Sequence, residues 1–374
     1  MIQPNSRPRT NSPSPSSEAP VPGALMLVGA VIGVSRALFG PAKKTPVQRA
    51  LSAVRSTPSP GRGRSAEKPS DIPAKGWMDI LWRVVEGIQN DRVMLVAAGV
   101  TFYGLLALFP ATAALVSLYG LFSDATTISN HLNLVSGFLP EGALQIVGDQ
   151  VKRIAGQSQG TLGVAFLGTL AVSLWSANAA TKSIFDALNI IYNETEKRTF
   201  IQLTLRSLAF TLATLVLVLL AMAGIVVVPV LLRLLGVPEG SGPALLSLLR
   251  WPLLYLVILF LLACLYRFGP SRANPRWRWV TWGSALAAAV WIGGSLLLSW
   301  YVTNFGSYNA TYGSLGAVIG FLIWMWLSTM VVLVGAEVNA ETEHQTAKDT
   351  TGGGRKPMGT RGARMADEIG PART

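Results

Sequence analysis

In the stretch LWSANAATKSIFDALNIIYNETEKR (174–198), Asn178, Lys182, Asp186, Asn189 and Asn193 follow one another at intervals of 4, 4, 3 and 4 residues. On an α-helix these positions fall within an arc of about 80°. Lys182 and Asp186 stand one turn apart, close enough to pair, and Asn178 lies one turn deeper toward an apolar run. Two readings fit this seam. Either an apolar helix leaves the membrane as an amphipathic one, or the seam faces a water-accessible vestibule, because polar groups inside a membrane turn toward protein or a cavity. A second polar set, Glu337 and Asn339 in GAEVNAE (335–341), closes the last apolar run. A carboxylate there is either a helix-end anchor or one half of an ion pair with Lys182 that gates the same side.

Hydrolytic or nucleotide chemistry finds no foothold. The two histidines, His131 and His344, lie in a loop and in the C-terminal tail, too few and too scattered for a histidine metal centre. Neither a phosphate loop of the GxxxxGK[ST] kind nor a G-x-S-x-G elbow occurs. No metal, no cofactor and no enzymatic activity are expected. The single Cys264 has no partner for an intramolecular disulfide.

The elements that carry these residues follow from composition. Half of the 374 residues are hydrophobic and 13% are charged, with mean hydropathy +0.43; soluble domains carry roughly 25% charge. The chain is expected to be an all-α membrane protein, a six-transmembrane-helix bundle. Its apolar segments run over 93–122, 159–181, 205–235, 247–266, 280–303 and 313–338, each long enough to span a bilayer. Pro110, Pro229 and Pro252 fall within or near them and imply local kinks. Residues 1–75 and 345–374 flank this domain (76–344) as basic tails rich in Pro, Ser, Gly and Arg, expected to be disordered. A short apolar piece at 21–34 interrupts the first tail and is too short to span comfortably.

The net charge of +12 invites nucleic acid as a partner, but the distribution of the cations argues against it. With the N-terminus inside, the inner regions 1–92, 179–206, 266–278 and 345–374 hold 13, 4, 4 and 6 Lys/Arg, against 2, 2 and 0 in the outer loops. The two short inner loops alone outweigh all the outer loops, so both termini are expected to be cytoplasmic. In the first outer loop Leu144, Val147, Val151 and Ile154 recur at helical spacing, as an interfacial helix or lid would.

A third set, NFGSYNATYGSLGAVIG (304–320), is an uncharged loop entering the last segment. Tyr308 and Tyr312 fit an interfacial aromatic belt. Gly313 follows Tyr312, and Gly316 and Gly320 form a small-xxx-small pair suited to close helix packing.

Four stretches occur in order: AAGVTFYGLLALFP (97–110), LNIIYNETEKRTF (188–200), YRFGP (266–270) and YGSLGAVIGFLIWMWLSTMVVLVGAEVNAE (312–341). Together, over residues 78–344, they resemble the YihY/BrkB family of bacterial inner-membrane proteins, formerly mislabelled ribonuclease BN. Ala107 stands where that first motif carries a small hydroxyl residue. The resemblance implies a six-helix, multi-pass protein of the bacterial inner membrane with both termini inside, and no settled activity. A motor-less transporter, or a translocator of lipids or other envelope components, would use a seam past Tyr103, Pro110, Asn178, Lys182, Asp186, Asn189, Glu337 and Asn339. A membrane scaffold without transport activity is the alternative. Membrane lipids, envelope proteins and a second copy of the chain are the partners to consider.

Overall fold

The computed structural model describes residues 61–120, 164–234, 242–305 and 315–373. The chain divides into Met1–Pro41 and Ala42–Thr374, and every described residue belongs to the second unit. The expectations placed on 21–34, on the loop helix around Leu144–Ile154, and on Tyr308, Tyr312 and Gly313 lie outside the described residues.

All regular structure among the described residues is helical. A 3-10 turn, Pro69–Asp71, precedes α1 (Ala74–Asn90), α2 (Val93–Gly120), α3 (Val164–Ile191), α4 (Phe200–Leu234), α5 (Gly242–Phe268), α6 (Trp277–Phe305), α7 (Leu315–Glu343) and a short α8 (Arg364–Asp367). Among the described residues, five helices are long and apolar enough to cross a membrane: Val93–Ala111, Phe200–Leu220, Trp251–Phe268, Trp277–Tyr301 and Val318–Glu343. Six spans were expected; the remaining candidate, α3, has 28 residues and carries the polar seam. Pro110 and Pro252 lie inside α2 and α5 without ending them, as the surroundings of a membrane helix permit.

α2 packs along α3 and α7, α7 packs along α6, and α6 packs along α5, while α4 rests on α3 and touches α5 only sparsely. The core lies where these helices converge, on Phe185, Leu188, Ile191, Tyr192, Tyr266, Val280, Leu333 and Ala336. Close approach there depends on glycine. A Cβ on Gly283 of α6 would lie 2.1 Å from the Gly335 carbonyl oxygen of α7, and one on Gly335 would lie 2.6 Å from the Tyr266 hydroxyl. Gly320, expected to serve this purpose, has no described atom within 4 Å of its Cβ position; the tight crossing is at the other end of α7, where Asn339 and Tyr266 hydrogen-bond to the neighbouring backbones. Gly316 lies in α7 at a position whose side-chain surroundings fall outside the described residues.

α1 is not a span. Its inner face buries Ile80, Arg83 and Val84, whereas Met78, Leu81, Trp82 and Val85 point outward with 55%, 53%, 36% and 58% exposure. Their i, i+3, i+4, i+7 spacing makes one apolar stripe. Asp91 and Arg92, the latter in the left-handed region at φ 52°, then turn the chain directly into α2. A surface helix with such a stripe beside a span lies in the membrane interface. A spin label at Leu81 or Val85, in a Cys264→Ser background in vesicles, is expected to collide with dissolved oxygen more than with a water-soluble nickel chelate. The same label at exposed Lys356 should show the reverse, and equal profiles at the two sites would exclude interfacial burial.

Candidate functional site

The polar residues of α7 divide by helical geometry. Glu337 and Glu341 are four residues apart and face α1; Asn339 and Glu343, also four apart, face α6 and the loop 269–276. Glu337 is buried, with Oε2 2.8 Å from the Cβ position of Gly87 in α1. The Asn339 side chain accepts from the Gly283 N–H at 2.8 Å and donates to the Val280 carbonyl at 3.1 Å, tying α7 to α6. Glu341 accepts from Arg83, whose guanidinium also reaches the Glu341 carbonyl at 3.0 Å, the Gln345 side chain at 2.8 Å and the Pro371 carbonyl at 3.0 Å. Glu343 forms a two-bond pair with Arg272 at 3.0 and 2.9 Å and accepts from Thr350 at 3.0 Å, with both ionic side chains fully enclosed. The Arg272 guanidinium also lies 3.9 Å from the centre of the Tyr192 ring, a favourable cation–π placement.

The C-terminal tail is therefore folded, against the expectation of disorder. Arg64 donates to the carbonyls of Gln345 and Gly370. Arg361 is buried and gathers the carbonyls of Ala347, Lys348 and Ala366. Ala273 donates to Gly362 and Arg276 to Thr350. The physical reason is that a glycine-rich basic segment need not bury apolar surface of its own when arginines and backbone amides find acceptors on a neighbouring scaffold. Residues 61–75 join the same assembly: the Ala66 carbonyl accepts from Thr346 at 2.7 Å, and Ala66 and Ile72 pack with Ile80 and Val84 of α1.

The seam on α3 proves to be several different devices. Asn178 is buried, with Thr211 of α4 donating to it at 3.5 Å, while Thr181 and Thr211 share a 2.7 Å hydrogen bond. Lys182 donates to Thr204 at 3.0 Å and sits near the rings of Trp175 and Phe200. Neither the Lys182–Asp186 pair nor a Lys182–Glu337 pair forms among the described residues: the ammonium goes to α4 and its aromatic neighbours, and Asp186 is exposed. Asn189 joins two loops, accepting from the Ser271 N–H at 2.7 Å and donating to Glu196 at 3.0 Å. Burial pushes the Glu196 carboxyl up, but bonds from Arg198, Asn189 and Ser271 outweigh it and hold the group at about 2. Asn193 ends α3 at φ 53°, and Glu194 N–H reaches back to the Asn189 carbonyl at 2.8 Å; asparagine tolerates that left-handed position at a helix end.

Tyr103 points outward from α2, half exposed, against Phe102, and so does not join Asn178. Pro110 lies further along α2. Ala107, where the family motif carries a hydroxyl, is buried.

A groove of about 650 Å³ lies instead between α4 and α5. Phe210, Ala213, Leu217, Phe260 and Leu261 form its walls, Cys264 lies along it, and Arg206 and Asn274 stand among the lining at the end near the folded tail. Sequence reading missed this groove, and also Arg83 and Arg272. A usable signal existed in the second case, since Glu337/Glu341 and Asn339/Glu343 at i, i+4 demand partners from two directions. No cluster of three or more His, Cys, Asp or Glu side chains arranged to hold a metal occurs among the described residues.

Long apolar helices with outward hydrophobic faces, closed at one end by an ionic cap, define a multi-pass helical membrane protein. The chain belongs to the BrkB family: the family model described as virulence factor BrkB matches residues 84–358. The ribonuclease-like protein YfkH of Bacillus subtilis is 31% identical over 247 residues, covering 65% of this chain and 88% of its own. UPF0761 membrane proteins are also similar. That of Aeromonas salmonicida is 27% identical, with 67% of this chain and 84% of its own covered, and that of Methylibium petroleiphilum 26%, with 71% and 62%. No solved structure matches.

Proposed function

We propose that the chain is a motor-less translocator of lipid or another amphipathic envelope component in the bacterial inner membrane, with both termini cytoplasmic. The observation that carries this reading is the α4–α5 groove. It is apolar along its length, flanked by helices that touch sparsely, and furnished with a cation at one end. Asn178 of α3 and Asn339 of α7 are buried and hydrogen-bonded between helices, and the folded tail covers the end of the bundle. This arrangement favours entry from the side, by a molecule with an apolar body, over an aqueous path along the bundle axis. An apolar gap between two sparsely touching helices suits such a cargo, because its tails can stay in hydrocarbon while the head moves.

Reconstitution into liposomes carrying a head-labelled fluorescent phospholipid tests the reading. The wild type is expected to expose inner-leaflet label to external dithionite faster than protein-free vesicles, and Ala213→Trp, which fills the groove, should return the rate to that background. A wild-type rate equal to protein-free vesicles removes the translocator.

The second reading, a membrane scaffold without transport activity, is favoured by the order of the tail, which presents Arg355, Lys356 and Met358 on an exposed surface. It is separated from the first by the same assay, since a scaffold leaves label exposure unchanged. Under either reading no enzymatic step is assigned, and the ribonuclease-like name of the Bacillus relative stays with that relative.

A further inference from the structure

We propose that the α4–α5 groove binds a two-chain anionic phospholipid, whose phosphate is held by Arg206 with the Asn274 amide beside it. The location rests on the lateral-groove reading above, but binding is read without any transport step.

Three observations carry the assignment. The volume, about 650 Å³, lies inside the roughly 300–1,000 Å³ range of ligand pockets, room for the part of the lipid next to its phosphate, while the rest of the chains stays in the bilayer. The wall is mostly Phe, Leu, Val and Ala side chains from α4 and α5, with Phe185 of α3, Thr214 and Cys264 among them, suited to acyl chains more than to anything strongly hydrated. Arg206 is the one ionic group in that lining, and it makes no ion pair or hydrogen bond with the described residues. Its neighbours show what an arginine here does when protein acceptors are within reach: Arg198 is clasped by Glu196 and the Gly269 carbonyl, and Arg272 by Glu343.

Arg206 stands six residues into α4 from Phe200, about 9 Å along the helix axis. That depth places a guanidinium at the level where headgroup phosphates meet the chains, with its methylenes along the apolar wall. A planar, weakly hydrated guanidinium binds phosphate oxygens through two parallel hydrogen bonds. With no carboxylate in the lining to neutralise it, the site keeps a net positive charge and prefers a headgroup that is negative overall to a zwitterionic one. The described lining holds no second cation that would demand a headgroup bearing several phosphates.

Native mass spectrometry of the full chain in detergent, titrated with phosphatidylglycerol and phosphatidylethanolamine of identical chains, is the test. The wild type should retain phosphatidylglycerol at roughly tenfold lower concentration than phosphatidylethanolamine, a preference of about 1.4 kcal/mol. Arg206→Gln should bring the two lipids within about twofold, and Arg206→Lys should fall between, keeping the charge without the paired bonds. Arg206 is exposed, so these variants leave the packed core intact. Cys264, the single cysteine of the chain, reports the place: phosphatidylglycerol should slow its alkylation by N-ethylmaleimide, and phosphatidylethanolamine at the same concentration should not. Equal retention of both lipids by the wild type, a preference that survives Arg206→Gln, or an alkylation rate indifferent to phosphatidylglycerol each overturns the assignment. Selective binding without label exposure in liposomes supports the site and removes only the translocator.

Discussion

Replacing Arg272 by methionine is expected to lower the melting temperature of the detergent-solubilised protein by roughly 5 °C. The substitution leaves Glu343 enclosed, with the Thr350 hydroxyl as its one remaining side-chain donor among the described residues. Breaking a buried pair in this way costs about 3–5 kcal/mol, because an uncompensated charge stays behind. For a chain of this size each kcal/mol moves the midpoint by about 1–2 °C. The cation–π contact with Tyr192 is lost as well. The double variant Arg272→Met with Glu343→Leu should recover most of the loss, since both charges leave together and the methylenes still pack. Scanning fluorimetry on the chain's own tryptophans reads both. A single variant that melts within 2 °C of wild type would show that the pair is hydrated and that the tail is not closed over it.

The second large effect lies at the α6–α7 crossing. Gly283→Ala puts a methyl 2.1 Å from the Gly335 carbonyl oxygen and 2.6 Å from the Asn339 side chain. Neither neighbour is the free end of a flexible chain, so the helices must separate. Overpacking of this kind costs about 1–3 kcal/mol, and the two Asn339 bonds to α6 add about 1 kcal/mol each when lost. Gly335→Ala meets the Tyr266 hydroxyl and Ala287 and should act similarly. Gly320→Ala is the informative contrast. With no described atom within 4 Å, it should be neutral or raise stability by up to about 1 kcal/mol, the ordinary gain from replacing a helical glycine. Melting temperatures that fall equally at Gly320 and Gly283 would refute the assignment of the crossing point.

Both effects fall on the end of the bundle where the candidate site lies. The Arg272–Glu343 pair holds the loop 269–276, whose Asn274 lines the groove, against the C-terminus of α7. The Gly283–Gly335 crossing sets how α6, the helix packed on α5, meets α7. Variants at these positions are thus expected to disturb lipid retention through the frame and Arg206 variants through the ligand, so melting temperature separates the two.

Much of this was legible in the order of residues alone. The length and purity of the apolar runs dictate membrane helices, because backbone polar groups in hydrocarbon are satisfied only within helices or closed barrels. The strings around Tyr103, Tyr192, Tyr266 and Glu337 carry the family. The excess of cations in alternate loops bears on orientation through the chemistry of membrane insertion, which is local in sequence. The seam from Asn178 to Asn193 was visible as one face, yet a helical wheel has no knowledge of what stands opposite it. Tertiary structure divided that face among Thr211, Thr204, Ser271 and a helix end.

The same limit explains the tail and the groove. Composition measures whether a segment can bury enough apolar surface by itself, so residues 345–373 read as disordered; their order comes from donors and acceptors contributed by residues 62, 64, 83 and 273, distant in sequence. The groove is a gap between α4 and α5, and a gap is a property of two surfaces that fail to fit, which neither sequence states. What the sequence by itself determined is a helical membrane protein of this family, since spanning length, hydropathy and motif are local. Which polar residues meet, which glycines let helices touch, and where an unpartnered arginine faces an apolar cleft were decided only by the packing, because each depends on a partner hundreds of residues or several helices away.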